Sequence, residues 1–416
     1  MLLSQKIVMG MKLCKSALDL LAKVSGKIIA MGLTLIAIPI VVLTRLLRPF
    51  VLIRYGYFSS ERIGHFVFDV AFYLSNRTGC ADKRFSLDLF GMAKEQANSY
   101  FLELSRRYIR ISRFNKYLYD ANRLVPFGKK QTLFSSRQLN GSRDIMGTMS
   151  QCKIPIEFSR EDDEIGHAYL RSIGCTSGRF VCLIVRDEAY LSTHLSDRNW
   201  SYHSFRNSSI NAYGSAAIEL ANRGYCVIRM GKYVATKLNI QHPRIIDYAT
   251  SEQHNDFLDI WLMAKCQFAI STGTGTDTVT NVFKKPVVYV NFLPAIDYVS
   301  FVNNITAFKK LVWKETNQYL SLEEMLEHSY GNSSSYSGKG ITIVDLSSDE
   351  IKDVVVEIVD RINGEWVDHN LDKELQDQFW KILRASKGFS KYHGYIHPDA
   401  RYSMTFLRKN HKYFLY

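Results

Sequence analysis

Residues 268–291 read Phe268-Ala-Ile-Ser-Thr-Gly-Thr-Gly-Thr-Asp-Thr-Val-Thr-Asn-Val-Phe-Lys-Lys-Pro-Val-Val-Tyr-Val-Asn291. This stretch predicts a buried strand, a turn rich in Gly and Thr, a short helix and a second buried strand. A strand that stops at small hydroxylated residues and glycines leaves the first backbone N–H groups of the next helix unpaired. Those groups and the helix dipole attract anions. We therefore expect a phosphate group to bind at this turn.

The same alternation of strand and helix extends over most of the chain. Near-continuous apolar strands separated by helices indicate a parallel sheet that is covered on both faces. The later series predicts strands at 180–185, 225–230, 244–248, 267–271 and 286–290. The earlier series predicts strands at 50–55, 85–90 and 108–111, a turn at 56–60, and helices at 67–74 and 93–107.

Two such series within 416 residues predict an α/β protein of two Rossmann-like lobes, a GT-B-like arrangement, preceded by a membrane-associating helical segment. The expected divisions are a membrane segment at 1–48, an N-terminal lobe on the acceptor side at 49–175, a C-terminal lobe on the donor side at 176–345, and helices that pack back on the body at 346–416. Residues 115–155 have a poor pattern and predict loops and short helices.

The net charge of +13 is concentrated at the N-terminus. Eight Lys and Arg residues against Asp19 alone give residues 1–55 a charge of about +7. These cations flank an uncharged stretch from Ile28 to Thr44, so anionic lipid is the expected partner and nucleic acid is not. A segment that dips into or lies along a cytoplasmic leaflet fits the basic flanks and Pro39, but a spanning helix and a buried core helix stay open.

The seven cysteines are scattered and form no C-x-x-C pair, which favours a reducing compartment and argues against a structural zinc site. Four acidic residues at 161–164 resemble a metal motif, but they follow Ser159 at the start of a predicted helix. Acidic residues in that position stabilise the helix dipole. No metal site is predicted.

The spacing from Ile270 to Val288, with Thr274-Gly275 followed by Lys285-Pro-Val-Val288, resembles the phosphate motif in the C-terminal lobe of heptosyltransferase-like, GT-B-fold glycosyltransferases. Five further short stretches of the sequence resemble a bacterial family of GT-B-fold glycosyltransferases. These stretches are Arg62-Ile-Gly-His-Phe66, Val185-Arg-Asp-Glu-Ala-Tyr-Leu191, Phe205-Arg-Asn-Ser208, Gly224-Tyr-Cys-Val-Ile-Arg-Met-Gly231 and Phe257-Leu-Asp-Ile-Trp261.

The resemblance implies a nucleotide-sugar donor held by the C-terminal lobe and an acceptor facing the N-terminal lobe. It also implies that metal is dispensable, because cationic side chains and a helix N-terminus stabilise the leaving diphosphate. No cofactor beyond the nucleotide-sugar co-substrate is expected. The family usually has an apolar residue and a histidine where this chain has Asp277 and Thr278, which leaves the donor's identity open.

The turn itself supplies the first donor-binding candidates, which are Ser271, Thr272, Gly273, Thr274, Gly275, Thr276 and Asp277. An ordinary strand-to-helix turn is the alternative. A dinucleotide site is disfavoured because the third glycine is absent and the next strand ends in Asn291 rather than an acid.

Cations at strand ends supply the next candidates. Arg186 follows a predicted strand and could take a phosphate bidentately, or it could pair with Asp187 or Glu188, which could themselves orient a hydroxyl. Arg229 and Lys232 bracket the end of the following strand. Arg206 and Asn207 precede a predicted helix and could hold sugar hydroxyls.

His65 is the predicted base for the acceptor hydroxyl, because a histidine titrates in the range that proton abstraction needs. A helix-capping or core histidine is the alternative. Asp256 is most simply a helix cap, and Asp259, one turn later on the same face, could bind the donor's ribose or base.

These observations predict a glycosyltransferase that moves a sugar from a nucleotide donor to a lipid-linked or cell-surface glycan, as in lipopolysaccharide or other polysaccharide synthesis. Its expected place is the cytoplasmic face of a bacterial inner membrane. Two alternatives stay open: another polysaccharide-assembly transferase, such as a pyruvyl transferase, and a non-catalytic scaffold. A homo-oligomer also stays open.

Overall fold

The computed structural model describes residues 2–78, 86–187 and 201–416. These residues form two compact units, which are described separately. The first unit comprises residues 1–61, 81–96 and 105–135, and the second comprises residues 62–80, 97–104 and 136–416. Residues 62–80 thus belong with the second unit, although they follow the first strand of the chain. The division of function between lobes at residue 175 stays a prediction.

The first unit is built on a three-stranded parallel sheet. Its strands are β1 (Leu52–Phe58), β2 (Ser86–Met92) and β3 (Arg110–Ser112), in the order β1-β2-β3. The predicted turn at 56–60 is wrong at its start, because β1 continues through Gly56 to Phe58. A Cβ atom on Gly56 would lie 2.4 Å from the Phe90 ring of β2, so glycine allows this close strand pairing.

Two helices accompany this sheet in the first unit. Helix α1 (Leu2–Leu46) is continuous over 45 residues and contains Pro39. Residues 24–46 of it form the one segment of the described chain that is long and apolar enough to cross a membrane by length and composition, with a mean hydropathy of 2.3. Helix α4 (Phe114–Leu124) lies where the sequence predicted only loops and short helices.

The second unit is built on a seven-stranded sheet in which all neighbouring strands are parallel. The strand order is β12-β9-β8-β7-β4-β5-β6. Its strands are β4 (Phe180–Ile184), β5 (Cys226–Arg229), β6 (Ile245–Ile246), β7 (Ala269–Ser271), β8 (Val287–Phe292), β9 (Asn304–Phe308) and β12 (Ala400–Tyr402). A separate antiparallel pair is formed by β10 (Lys310–Trp313) and β11 (Ile341–Val344).

The order of this sheet reverses between β4 and β7. From β4 the chain builds β5 and β6 on one side, and it then returns to place β7, β8 and β9 on the other. The carboxyl ends of the two strands that flank such a reversal leave a crevice, which is where open parallel sheets bind ligands. The fold therefore directs attention to the residues that follow β4 and β7.

Helices connect and cover these strands. Helix α3 (Ser99–Arg106) has residues in both units. The other helices of the second unit are α2 (Ile63–Thr78), α5 (Ser136–Asn140), α6 (Thr148–Gln151), α7 (Arg160–Ser172), α8 (Gly214–Asn222), α9 (Asp256–Lys265), α10 (Asp277–Val282), α11 (Leu322–Glu327), α12 (Ser333–Gly338), α13 (Ser348–Asn363), α14 (Asp372–Ala385), α15 (Phe389–Tyr392) and α16 (Met404–Phe414). The predicted α/β class with parallel sheets is confirmed.

Local signals account for several helix ends. Ser159 and Asp162 form the capping box of α7, so the acidic run at 161–164 belongs to a helix start as predicted. The cap of α9 is Asn255, which accepts from the Leu258 N–H, and the prediction that Asp256 is the cap is wrong. The predicted helix at 93–107 is shorter, because α3 begins at Ser99. The C-terminal tail packs on the second unit, with β12 paired to β9.

Candidate functional site

The ends of β4 and β7 are joined directly. The main-chain N–H of Arg186, two residues beyond β4, donates to Thr272 Oγ1 at 3.0 Å, and Thr272 follows β7. The Arg186 carbonyl accepts from the Ser208 N–H at 3.0 Å. The segment around Arg206 is thereby held at the same edge of the sheet. Three separate stretches of sequence converge on the switch point of the second unit.

The turn after β7 is organised around a carboxylate of its own. Asp277 is buried and accepts from the Ser271 hydroxyl at 2.6 Å and from the Thr274 N–H at 2.7 Å. Burial raises the pKa of Asp277 to about 6, against the opposing effect of these hydrogen bonds. The Asp277 carboxylate therefore accepts hydrogen bonds from groups of the turn that the sequence suggested as donors to a phosphate.

Burial separates the predicted residues of this turn into two groups. Ser271, Thr272, Gly273 and Asp277 lie in the interior, where they shape the turn, and their direct contact with a donor stays a prediction. Thr274 and Thr276 are half-buried and Gly275 is exposed. Only the latter three reach the surface.

The turn is backed by the start of helix α2. A Cβ atom on Gly64 would lie 2.7 Å from the Cα of Gly275 and 2.8 Å from its carbonyl oxygen. Real side chains do not approach backbone atoms this closely, so the two backbones meet only because both residues are glycines. This contact places Arg62 and His65, which flank Gly64, beside the turn.

Arg186 and Arg206 give the site its charge. The Arg206 guanidinium donates through Nη2 to the carbonyl oxygen of Gly273, which ties it to the turn. Within the described ranges, neither arginine forms an ion pair with a carboxylate, and the Nε atoms of both are buried without a hydrogen-bond partner. Burial lowers the pKa of both, and their mutual repulsion lowers that of Arg186 further, to about 10. Both remain charged at neutral pH.

Two histidines lie in the field of arginines of the second unit, and Arg62 acts on both. Burial lowers the pKa of His203 to about 4, with further contributions from Arg186, Arg206 and Arg62. Burial also lowers the pKa of His65 to about 4, followed by the charges of Arg137 and Arg62. Both imidazoles are neutral at pH 7, and His65 Nδ1 lies 2.9 Å from Ser142 Oγ.

His203, Arg62 and Arg137 were not predicted from the sequence as site residues. His203 precedes Arg206 by three residues in a 3-10 turn over Ser201–Arg206, a spacing that aligns side chains on one face, so this signal was available. Arg62 stands in the quoted run with His65. Arg137 carries no local signal, because only tertiary structure brings it near His65.

Other predicted residues have partners elsewhere in the second unit. Arg229 is 1% exposed and donates to the Thr236 carbonyl at 2.5 Å and to Asp247 at 3.2 Å, so it is a core residue. Lys232 donates to Asp256 and to the Ala97 carbonyl, each at 3.1 Å. Asp259 accepts from the Tyr248 hydroxyl at 3.2 Å and lies 3.0 Å from His254 Nε2. All three side chains therefore have partners of their own, and their roles in donor binding stay predictions.

Asp187 and Asn207 flank the two arginines. The Asp187 carboxylate accepts from the Ala235 N–H at 2.8 Å, and the Asn207 carbonyl accepts from the buried ammonium of Lys309 at 2.5 Å. Glu188 lies outside the described residues. Among the residues that the structure does describe, no group of three or more His, Cys, Asp or Glu side chains could hold a metal ion.

Comparison with known proteins gives little further information. No protein-family model matches the chain, and no curated protein matches it. Among solved structures, the E. coli ADP-heptose LPS heptosyltransferase II is similar to the chain with 11% sequence identity and a TM-score of 0.35, over 58% of this chain and 85% of that one. A TM-score this low establishes neither a shared fold nor a shared function.

The chemistry of the site therefore follows from its own geometry. Two half-buried guanidinium groups that form no ion pair within the described ranges give a region of positive charge, which the charges of Asp277 and Asp297 near Arg206 offset in part, and in which an anion interacts more strongly than it would in water. The neutral imidazoles and the surface hydroxyls of Thr274 and Thr276 add uncharged hydrogen-bonding groups around it. This combination suits a phosphate or diphosphate that is attached to a polar group.

Proposed function

We propose that the protein is a glycosyltransferase whose second unit binds the diphosphate of a nucleotide-sugar between Arg186 and Arg206. The observation that carries the proposal is the pair of half-buried arginines at the switch point of the seven-stranded sheet, whose Nε atoms are buried without a hydrogen-bond partner and which pair with no carboxylate among the described residues. A charge that is partly removed from water is costly unless it is paired, so a site of this kind is more stable when an anion completes it.

The proposed reaction separates the sugar from the diphosphate, and negative charge grows on the leaving group as the bond breaks. Arg186 and Arg206 are already in place to stabilise that charge, which is the effect that lowers a barrier most. The proposal needs no metal ion and no cofactor beyond the co-substrate.

The acceptor hydroxyl must lose a proton, and His65, Asp187 and Glu188 remain the candidates for this step. His65 is neutral at pH 7 and can accept a proton, but a pKa of about 4 makes it a weak base in the absence of substrate. A bound diphosphate would offset the charges of Arg62 and Arg137 and would raise the pKa of His65 toward its ordinary value.

The proposed acceptor is a lipid-linked or cell-surface glycan, as in polysaccharide or lipopolysaccharide synthesis, and the proposed location is the cytoplasmic face of a bacterial inner membrane. The apolar helix α1 with its basic flanks supports both, because a lipid-linked glycan is presented at the membrane surface.

A donor panel tests the proposal with the full-length protein in detergent. Thermal unfolding is followed with nucleoside diphosphates, nucleoside diphosphate sugars, phosphoenolpyruvate and inorganic phosphate. Binding to the folded state raises the unfolding temperature, and the rise grows with the logarithm of the ligand concentration relative to Kd. The proposal expects stabilisation by at least one nucleoside diphosphate and its sugar conjugate.

The alternatives give different outcomes in the same panel. Stabilisation by phosphoenolpyruvate alone would favour a pyruvyl transferase, since Arg186 and Arg206 would suit its phosphate equally well. No stabilisation by any compound, together with unchanged cellular glycan in an Arg186→Met strain, would favour a scaffold and contradict the proposal.

A further inference from the structure

Helix α1 has two distinct faces near its C-terminal end. Buried residues recur at intervals of three and four, at Thr34, Ala37, Val41 and Thr44, which places them on one side of the helix. Large apolar residues on the remaining surface are exposed. They include Ile29, Ile36 and Leu43, whose exposed fractions are 62%, 63% and 57%, and which share one face because they are seven residues apart.

The buried face is fixed to the first unit. Ala37 and Val41 pack in an apolar cluster with Tyr55 of β1 and with Leu118 and Tyr119 of α4. The Thr44 hydroxyl lies 2.8 Å from the Tyr55 hydroxyl. These contacts hold the C-terminal third of α1 against the body of the unit.

Arg45 fixes the end of the helix. Its Nη2 donates to Asn122 Oδ1 at 3.0 Å and to the Val125 carbonyl at 3.1 Å, and its Nη1 donates to the Pro126 carbonyl. The C-terminal end of the helix is therefore attached to the first unit through both packing and hydrogen bonds.

Further large apolar residues are exposed at and beyond the end of α1. Leu46 and Phe50 are 70% and 78% exposed, and on the turn that Arg45 binds, Leu124 and Phe127 are 66% and 92% exposed. Several large exposed apolar side chains on one helix and on the turn to which it is bound indicate a contact site rather than ordinary surface.

The docked stretch of α1 argues against a spanning arrangement, because it leaves little free apolar helix. The uncharged stretch begins at Ile28 and the docked stretch begins at Ala37, which leaves nine uncharged residues ahead of the docked stretch, or about 14 Å of helix. The hydrocarbon core of a bilayer is about 30 Å thick. If α1 spanned the bilayer, lipid would have to surround residues 37–44 and the adjoining helix α4 as well.

Helix α4 is unsuited to hydrocarbon. It carries Lys116, Asp120 and Arg123, and each charged side chain costs roughly 2.5–3.5 kcal/mol at the centre of a membrane. A helix that is covered by protein on one side and is apolar on the other fits the boundary between water and lipid instead.

We propose that α1 lies in the plane of one leaflet of an anionic bilayer, with Ile29, Ile36, Leu43, Leu46 and Phe50 in the lipid and the first unit resting on the surface through Leu124 and Phe127. Besides Arg45 and Arg54, whose side chains are bound within the first unit, six Lys and Arg residues against Asp19 within residues 1–55 complement anionic headgroups. The inference does not depend on the proposed transferase activity.

Depth measurements at three positions test the inference. An environment-sensitive fluorescent amino acid replaces Ile29, Ile36 or Leu43 in separate full-length variants, which are bound to vesicles containing phosphatidylglycerol. Quenching by lipids that carry doxyl groups at different depths gives the depth of each position. The in-plane helix predicts three similar, shallow depths. A spanning helix predicts depths that differ by up to about 21 Å between positions 29 and 43, and that result would overturn the inference.

A protease site ahead of Met1 provides an independent test. On vesicles with the folded units outside, an in-plane helix leaves this site outside as well, and added protease cuts it. Protection from the protease until detergent is added would show that α1 spans, and absence of binding to the vesicles would show that the exposed face does not meet lipid. Either result contradicts the inference.

Discussion

The main-chain N–H of Arg186 donates to Thr272 Oγ1, and this 3.0 Å bond joins the ends of the two strands that flank the switch point. It connects the cation of the candidate site with the turn that faces it. The bond also gives Thr272 a structural role that its burial alone would not reveal.

Replacing Thr272 by Val should cost about 1–3 kcal/mol of stability, because the shape is kept while the Arg186 N–H loses its partner. Denaturant unfolding measures this loss. Thr272→Ser is the control, since it keeps the hydroxyl and removes only a methyl group. If Val is tolerated better than Ser, the hydrogen bond contributes less than packing.

Asp277 should make stability depend on pH. Its pKa is raised to about 6 in the folded protein from 3.8, so the folded state binds the proton more tightly. Its contribution is therefore greatest below about pH 4 and is lost as pH rises to about 6, by up to about 3 kcal/mol. The Asp277→Asn variant removes this titration.

The measurement is the difference in unfolding temperature between wild type and Asp277→Asn from pH 4 to pH 7.5. Comparing the two proteins cancels the titration of other groups. We expect the unfolding temperature of Asp277→Asn to increase relative to that of the wild type as pH rises. A difference that stays constant with pH would mean that Asp277 ionises with its ordinary pKa.

His65 should show the opposite trend. Its pKa falls from 6.5 to about 4 on folding, so the folded state binds its proton less tightly. Its contribution to stability therefore grows as pH rises from about 4 to 6.5. Relative to His65→Gln, the wild type should become more stable over this range, as measured by thermal unfolding. A pKa near 6.5 for His65 by NMR would contradict this.

Gly64→Ala should destabilise the second unit by about 1–3 kcal/mol, because the new Cβ atom would overlap the backbone of Gly275. Gly338→Ala in α12 is the matched control. No atom lies within 4 Å of the position that its Cβ would take, so this change should be neutral or slightly stabilising. Equal stability of the two variants in urea would show that the turn moves freely away from α2.

Phe127→Glu should weaken binding to vesicles that contain phosphatidylglycerol several-fold, because it places a negative charge on the proposed lipid face beside anionic headgroups. Co-sedimentation with the vesicles measures the bound fraction. Phe127→Trp keeps an amphipathic ring and should bind at least as well as the wild type. Equal binding of both variants would remove this turn from the contact surface.

The sequence predicted the parallel sheets because buried strands carry continuous apolar runs, as in Phe180–Ile184 and Val287–Phe292. It did not predict that β1 runs through Gly56, because glycine is usually a turn signal and only the Phe90 ring across the strand pair explains its place here. Helix α4 was missed because its stability comes from packing on α1.

The candidate site can be compared with the sequence in the same way. Arg186, Arg206 and the turn after β7 were singled out because strand ends and glycines are local signals, and the structure brings these segments together. Asp277 was expected to face a ligand, whereas it turns inward to Ser271 and Thr274. Arg229 was expected at the strand end but points into the core, since local sequence does not show which side of a strand end is buried.

Calorimetric titration of full-length wild type and Arg186→Met with nucleoside diphosphates tests the central claim most directly, with exposed Arg160→Met as the control. We predict that at least one nucleoside diphosphate binds the wild type and Arg160→Met equally, and binds Arg186→Met about 10-fold to 100-fold more weakly. Equal affinity for all three proteins, or no binding to the wild type, would contradict the account.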